Sequence, residues 1–175
     1  YSFQFVSSDE TEPSAGDVAV NLESQVFATD ESYTVITLGD VSEFEAVRAY
    51  TELLPPDDGK ARIRFINGSH SAGDISVFNS DDSDTLLAGD VAPYDDQTIQ
   101  LAVAVATSIG VDVTDDNPPD VLFTVPALPS NLRANVVFLS DPSDDGAYKL
   151  IIQSLNTSTV TVITGSGRGF SWPST

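Results

Sequence analysis

The sequence predicts an all-β protein, and three observations carry that prediction. Short runs rich in Val, Ile, Thr, Phe and Tyr recur along the chain, each closed by Gly, Pro, Ser or paired Asp. Several runs alternate strictly between apolar and polar residues, the two-residue period of a strand with one buried face. The punctuation is aspartate-rich: Asp57-Asp58-Gly59, Asp81-Asp82, Asp95-Asp96, Asp115-Asp116 and Asp144-Asp145-Gly146 all lie between apolar runs. Aspartate favours turns because its carboxylate bonds to nearby backbone and tolerates unusual dihedrals.

In chain order, strands are expected near Tyr1–Val6, Asp17–Leu22, Tyr33–Leu38 and Ala46–Leu53. The next group is Ala61–Ile66, Asp74–Phe78, Gln97–Ala106 and Val121–Val125, and the last is Ala134–Leu139, Lys149–Leu155 and Thr159–Ile163. In the first run Tyr1, Phe3 and Phe5 share a face, opposite Ser2 and Gln4. In Ala61–Ile66 the arginines Arg62 and Arg64 point one way while Ile63 and Phe65 point the other. Ser42–Leu54 also has a helical period, with apolar residues at 44, 47, 50, 53 and 54; helix and strand both remain open there, the strand favoured. The tail 165–175 is rich in Gly and Ser yet carries Phe170 and the only tryptophan, Trp172. Each ring can bury a large apolar area, which makes the pair candidate anchors.

Composition narrows the class. At 41% hydrophobic, the chain can build a core and is not expected to be disordered. It carries 27 acidic residues against 7 basic ones, a net charge of −20, and its only lysines are Lys60 and Lys149. That charge repels nucleic acid and anionic membranes, so neither is expected as a partner. Two origins of the acidity compete, a disordered acidic tail and a surface adapted to high salt. The acids are dispersed at turns rather than gathered in a block, which favours the second. With no cysteine, disulfides, thiol catalysis and thiolate metal sites are excluded. No apolar run approaches the roughly 18 residues that span a bilayer, so no transmembrane segment is expected. The opening at Tyr1 rather than Met suggests an N-terminus made by removal of a signal peptide, hence an extracellular, cell-surface location.

The segment Gly59–Val77 (GKARIRFINGSHSAGDISV) resembles the family called domain of unknown function 4397, secreted bacterial and archaeal proteins often built as tandem repeats. Gly59 to Arg64 match the opening of that family's repeat, Ser69 falls on its turn serine, and Asp74 to Val77 fall on the following strand. Asn67 stands where the family often has His, and His70 where it often has Pro. Ser32–Gly39 is similar to a strand in the back half of the same repeat, and Ala46–Asp58 to its closing strand and linker. Ala134–Ser140 and Lys149–Leu155 are the equivalent pair in the second copy. The resemblance implies an immunoglobulin-like β-sandwich with no catalytic residues to transfer. Its phase divides the chain into an N-terminal half-repeat (1–57), a complete β-sandwich repeat (58–164) and the tail (165–175).

Half a sandwich cannot bury its apolar face or satisfy its edges alone. Either residues 1–57 complete themselves on the main domain or a neighbouring copy supplies the missing strands. The second answer is β-augmentation, and a head-to-tail version propagates a filament. Tyr1–Val6 is the natural donor, with Tyr1, Phe3 and Phe5 as interface residues.

Enzyme chemistry finds little purchase. The single histidine, His70, sits in a Gly/Ser turn with no nucleophile elbow nearby. With so many carboxylates, suggestive acid pairs arise by chance, so a glycosidase reading carries almost no weight and stands a distant third. Asp141, Ser143 and Asp145, before Gly146, copy the start of a calcium loop, but the closing acid is missing because that position is Ile152. They are a weak candidate site for Ca²⁺ or Na⁺, and no other cofactor is expected. Asn67-Gly68-Ser69 and Asn156-Thr157-Ser158 are sequons, which makes Asn67 and Asn156 candidate N-glycan acceptors. The expected function is therefore a structural subunit of an extracellular, pilus-like filament or surface layer of a halophilic archaeon, assembling as a head-to-tail homopolymer. The alternative is a monomeric cell-surface adhesin or ligand-binding module.

Overall fold

The computed structural model describes residues 3–6, 18–22, 27–29, 33–39, 44–69, 72–102, 105–114, 118–140, 148–157 and 159–167. The chain divides into two compact units, residues 1–52 and 53–175. Among the described residues every regular element is a strand, fourteen in all, and the protein is all-β.

In the first unit, β1 (Phe3–Val6) pairs antiparallel with β2 (Val18–Leu22), and β3 (Tyr33–Gly39) pairs antiparallel with β4 (Phe44–Thr51). Each pair is a separate two-stranded sheet, and β2 is a neighbour of β4. Of the open span Ser42–Leu54, Phe44–Thr51 is strand, residues 52–54 lie beyond its end, and residues 42 and 43 lie outside the described residues. The register places Val35 opposite Ala49 and Thr37 opposite Val47, and Val and Thr are β-branched residues that favour strand over helix. The entry to β3 is fixed by Tyr33, whose ring meets Phe27 edge-on at 4.5 Å and whose hydroxyl accepts a bond from the Ala28 amide at 2.9 Å.

The second unit holds two five-stranded sheets. One contains β5 (Lys60–Asn67), β8 (Asp96–Ala102), β11 (Arg133–Ser140), β12 (Tyr148–Ser154) and β13 (Val160–Thr164), in the order β13-β12-β11-β5-β8. The other contains β6 (Ile75–Asn79), β7 (Thr85–Val91), β9 (Thr107–Asp112), β10 (Val121–Val125) and β14 (Ser166–Gly167), in the order β14-β10-β9-β6-β7. All neighbouring strands are antiparallel except β5 and β11, which run parallel.

Inward residues of both sheets meet in one core, including Ile63 and Phe65 of β5, Val77 of β6, Phe123 of β10 and Phe138 of β11. This is a sandwich-like arrangement of two facing layers. Phe123 and Phe138 touch edge-to-face across the layers at 6.2 Å, and Phe138 stacks on Tyr148 at 5.1 Å. Residues 53–57 belong to this unit: Leu53 is buried and its carbonyl accepts from Arg133 Nη1 at 3.3 Å. Asp57 exchanges two 3.0 Å bonds with Gln100 on β8 and pairs with Arg62 at 3.8 Å.

Three features depart from the sequence expectation, the first being that Ser166–Gly167 of the expected tail form β14 and pair with β10. The run Gln97–Ala106 is not one strand: β8 ends at Ala102, and β9 begins at Thr107 in the opposite sheet. Between β6 and β10 the chain also forms β7, which the residue pattern hides. Register shifts between Ile75 and Val77 and between Val77 and Phe78 break the alternation of the β6–β7 pair, and Asp90 sits at φ 52°. A bulged strand holding Gly89 and Asp90 lacks the period by which strands are recognised.

The chain changes sheets at Gly165, between β13 and β14. A Cβ there would lie 2.5 Å from Val121 and 2.8 Å from the Phe123 ring, so only glycine lets the backbone cross this close to the core.

Candidate functional site

The outer edge of β13 is uncharged and carries two exposed valines, Val160 and Val162. β13 pairs only with β12 among the described residues, and it ends its sheet. Gly165 donates to the Tyr148 carbonyl at 2.8 Å, and Ser154 donates to the Thr159 carbonyl at 2.8 Å. In an antiparallel ladder hydrogen-bonded positions alternate, so residues 159, 161, 163 and 165 face β12. The N–H and C=O groups of Val160, Val162 and Thr164 therefore point away from the sheet, toward its open edge. The side chains alternate too: Ile163 packs on the core and Thr161 lines a cleft, while Val160 and Val162 are 61% and 58% exposed.

That cleft, about 230 Å³, lies beside the start of β13. Leu128, Leu132 and Ile152 supply apolar wall, and Thr157, Thr159 and Thr161 supply hydroxyls. No lining residue is titratable, so the cleft can bind an apolar group and offer hydrogen bonds but cannot supply a general acid or base. Proteins usually protect such edges with charge, proline or a bulge. Here residues 150–167 form the longest stretch of the chain without a charged side chain, in a protein of net charge −20.

On the outer face of the same sheet a polar row crosses four strands. Arg64 Nε lies 3.3 Å from Asp96 Oδ2, Arg64 Nη1 approaches Asn135 Oδ1 at 3.5 Å, and Asn135 Nδ2 donates to Gln153 at 3.3 Å. Burial pushes the Asp96 carboxyl above the usual aspartate range; the Arg64 guanidinium opposes this, and neighbouring Asp95 adds a further upward push. The row links side chains of β8, β5, β11 and β12.

Asn67 is the centre of a second buried polar cluster. It is fully buried; its Nδ2 donates to the carbonyls of Gly73 at 2.8 Å and Val91 at 3.0 Å, and its Oδ1 accepts from the Ser69 amide at 3.1 Å. Its backbone N–H donates to Asp95 and its carbonyl accepts from Tyr94. The side chain thus ties the end of β5 to the entry of β6 and the end of β7. A glycan would be attached through Nδ2, and here both hydrogens of that atom are hydrogen-bonded inside the fold. Asn156 differs. It is exposed in the turn between β12 and β13, accepting from the Arg133 amide at 2.8 Å and donating to the Asn131 carbonyl at 3.3 Å.

Asp74, Ser76, Asp90 and Asp112 line a small hollow of about 90 Å³. Asp112 Oδ1 accepts from the Thr114 amide at 3.1 Å, and among the described residues no acidic or histidine trio is disposed to hold a metal ion. Tyr1, His70, the Asp141–Ser143–Asp145 loop and the ring pair Phe170 and Trp172 lie outside the described residues. Phe3 and Phe5 lie on β1, with backbone partners Leu22 and Val20 on β2. The β13 edge and its cleft were not among the sites expected from sequence. The signal that marks them is the loss of charge after Lys149.

No family model, no curated protein and no solved structure matches the chain. Among the described residues no helix is long and apolar enough to cross a membrane.

Proposed function

We propose that this chain is a structural subunit of an extracellular filament or cell-surface layer of a halophilic archaeon, assembled by β-strand pairing between copies. The observation that carries this reading is the first unit's division into two separate two-stranded sheets, β1–β2 and β3–β4. Two-stranded sheets are marginal alone in water, and each leaves outer edges that another strand can satisfy. Residues 1–8 carry no charge, so β1 can approach another acidic copy with little repulsion. The resemblance of Gly59–Val77 to the domain of unknown function 4397 adds an immunoglobulin-like repeat to the proposal, with residues 1–57 as its half-repeat. No enzymatic activity belongs to this reading. Asn156 is its candidate glycan acceptor, and the Asp141–Asp145 loop its weak candidate for Ca²⁺ or Na⁺.

The reading is tested by sedimentation of the full chain in molar KCl, beside a chain lacking residues 1–8. The full chain is expected to form large species and the shortened chain to remain monomeric. A full chain that is monodisperse and monomeric at every concentration would overturn the proposal. That outcome favours the second reading, a monomeric adhesin or ligand-binding module, for which the cleft beside Leu128 and Leu132 is the supporting observation.

A further inference from the structure

We propose that the outer edge of β13, with the adjoining cleft, is the acceptor for β1 of a second copy of this chain. The inference deepens the assembly reading above and rests on it. Three independent features of the second unit select this place.

The first is backbone chemistry. Val160, Val162 and Thr164 direct N–H and C=O groups outward, and no described strand pairs with them. An added strand forms main-chain bonds to these groups without disturbing the β12–β13 ladder. The second is shape. Augmenting strands gain specificity when their alternate side chains find pockets beside the edge. The cleft at Leu128, Leu132 and Ile152 is such a pocket, and Phe3 and Phe5 are the alternate apolar residues of β1.

The third is charge, which identifies the occupant. A copy of this protein meets repulsion over most of an acidic surface, but residues 150–167 and residues 1–8 are both uncharged. These two stretches can meet without placing carboxylates face to face. β1 uses one edge to pair with β2, and among the described residues its other edge has no partner. The paired strands β1 and β2 can therefore add to β13 while keeping their own pairing. Donor and acceptor are different surfaces, so the contact is head-to-tail and each bound copy presents a fresh β13 edge to the next.

The test is Val162→Pro in the full chain, studied by sedimentation in molar KCl with far-UV circular dichroism as a control. Proline removes an N–H that points away from β12, a substitution that edge strands tolerate. A second variant, Val162→Asp, keeps every backbone group and places a like charge on the approach path. Both variants are expected to melt like the parent and to associate at least about tenfold more weakly. If either folded variant assembles as well as the parent, the β13 acceptor is overturned while the assembly reading stands. If the parent itself is monomeric, the assembly reading fails and this inference fails with it.

Discussion

Asn67→Ala is expected to cost about 3 kcal/mol or more of folding stability, among the largest single-residue effects in the second unit. The substitution leaves the carbonyls of Gly73 and Val91 and the amide of Ser69 without their present partner. Each unsatisfied buried group costs about 1–3 kcal/mol, against a total stability of roughly 5–15 kcal/mol for a typical domain. Asn67→Asp is expected to be worse at neutral pH, because it aims a carboxylate at two carbonyl oxygens in a fully buried site. Its folded-state pKa then lies above the unfolded value of about 4, so the aspartate binds its proton more tightly folded than unfolded. Stability of this variant is therefore greatest below that unfolded value and falls as pH rises through the folded one. Urea unfolding at constant molar salt, between pH 4 and pH 7, measures both effects. An Asn67→Asp protein as stable as the parent at pH 7 would show that the side chain does not hold β5, β6 and β7 together.

Removal of salt is expected to have the larger global effect. Two unit charges about 10 Å apart in water repel by roughly 0.4 kcal/mol, so a dozen such unscreened neighbours cost about 5 kcal/mol. The net charge of −20 makes a sum of that size reasonable. At 1 M salt the screening length is about 3 Å and the repulsion is largely removed; at 0.01 M it is about 30 Å and the repulsion acts across the whole domain. The melting temperature is expected to fall by roughly 10–20 °C between molar and ten-millimolar KCl. Calorimetry over that range decides the matter, and a melting point that does not move would contradict a surface adapted to salt.

Legibility in the sequence followed the regularity of each element. β5 was legible because its arginines and its Ile63–Phe65 pair alternate without interruption, and the structure buries Ile63 and Phe65 in the core. β7 was not, because bulges in its pairing with β6 and the left-handed Asp90 erase the two-residue period. The β8–β9 break was missed because uncharged residues run from Gln97 to Val111, and nothing in hydropathy marks where the chain leaves one sheet for the other. Asn67 shows the limit of motif reading. The pattern Asn-Gly-Ser describes three residues, whereas burial of Nδ2 is decided by Gly73 and Val91, both distant in the motif's terms. The strand at β13 was legible from its Val-Thr-Val-Ile run, but its position at a sheet edge is a property of topology and had to come from the structure.

Hydrogen exchange at single-residue resolution, comparing assembled protein with dissociated monomer, is the most direct measurement of strand pairing between copies. The amides of Thr161 and Ile163 already face β12 and are expected to be protected in both states. Those of Val160, Val162 and Thr164 face the open edge, and they are expected to exchange freely in the monomer and become protected on assembly. Assemblies in which these three amides still exchange as fast as in the monomer would contradict the account.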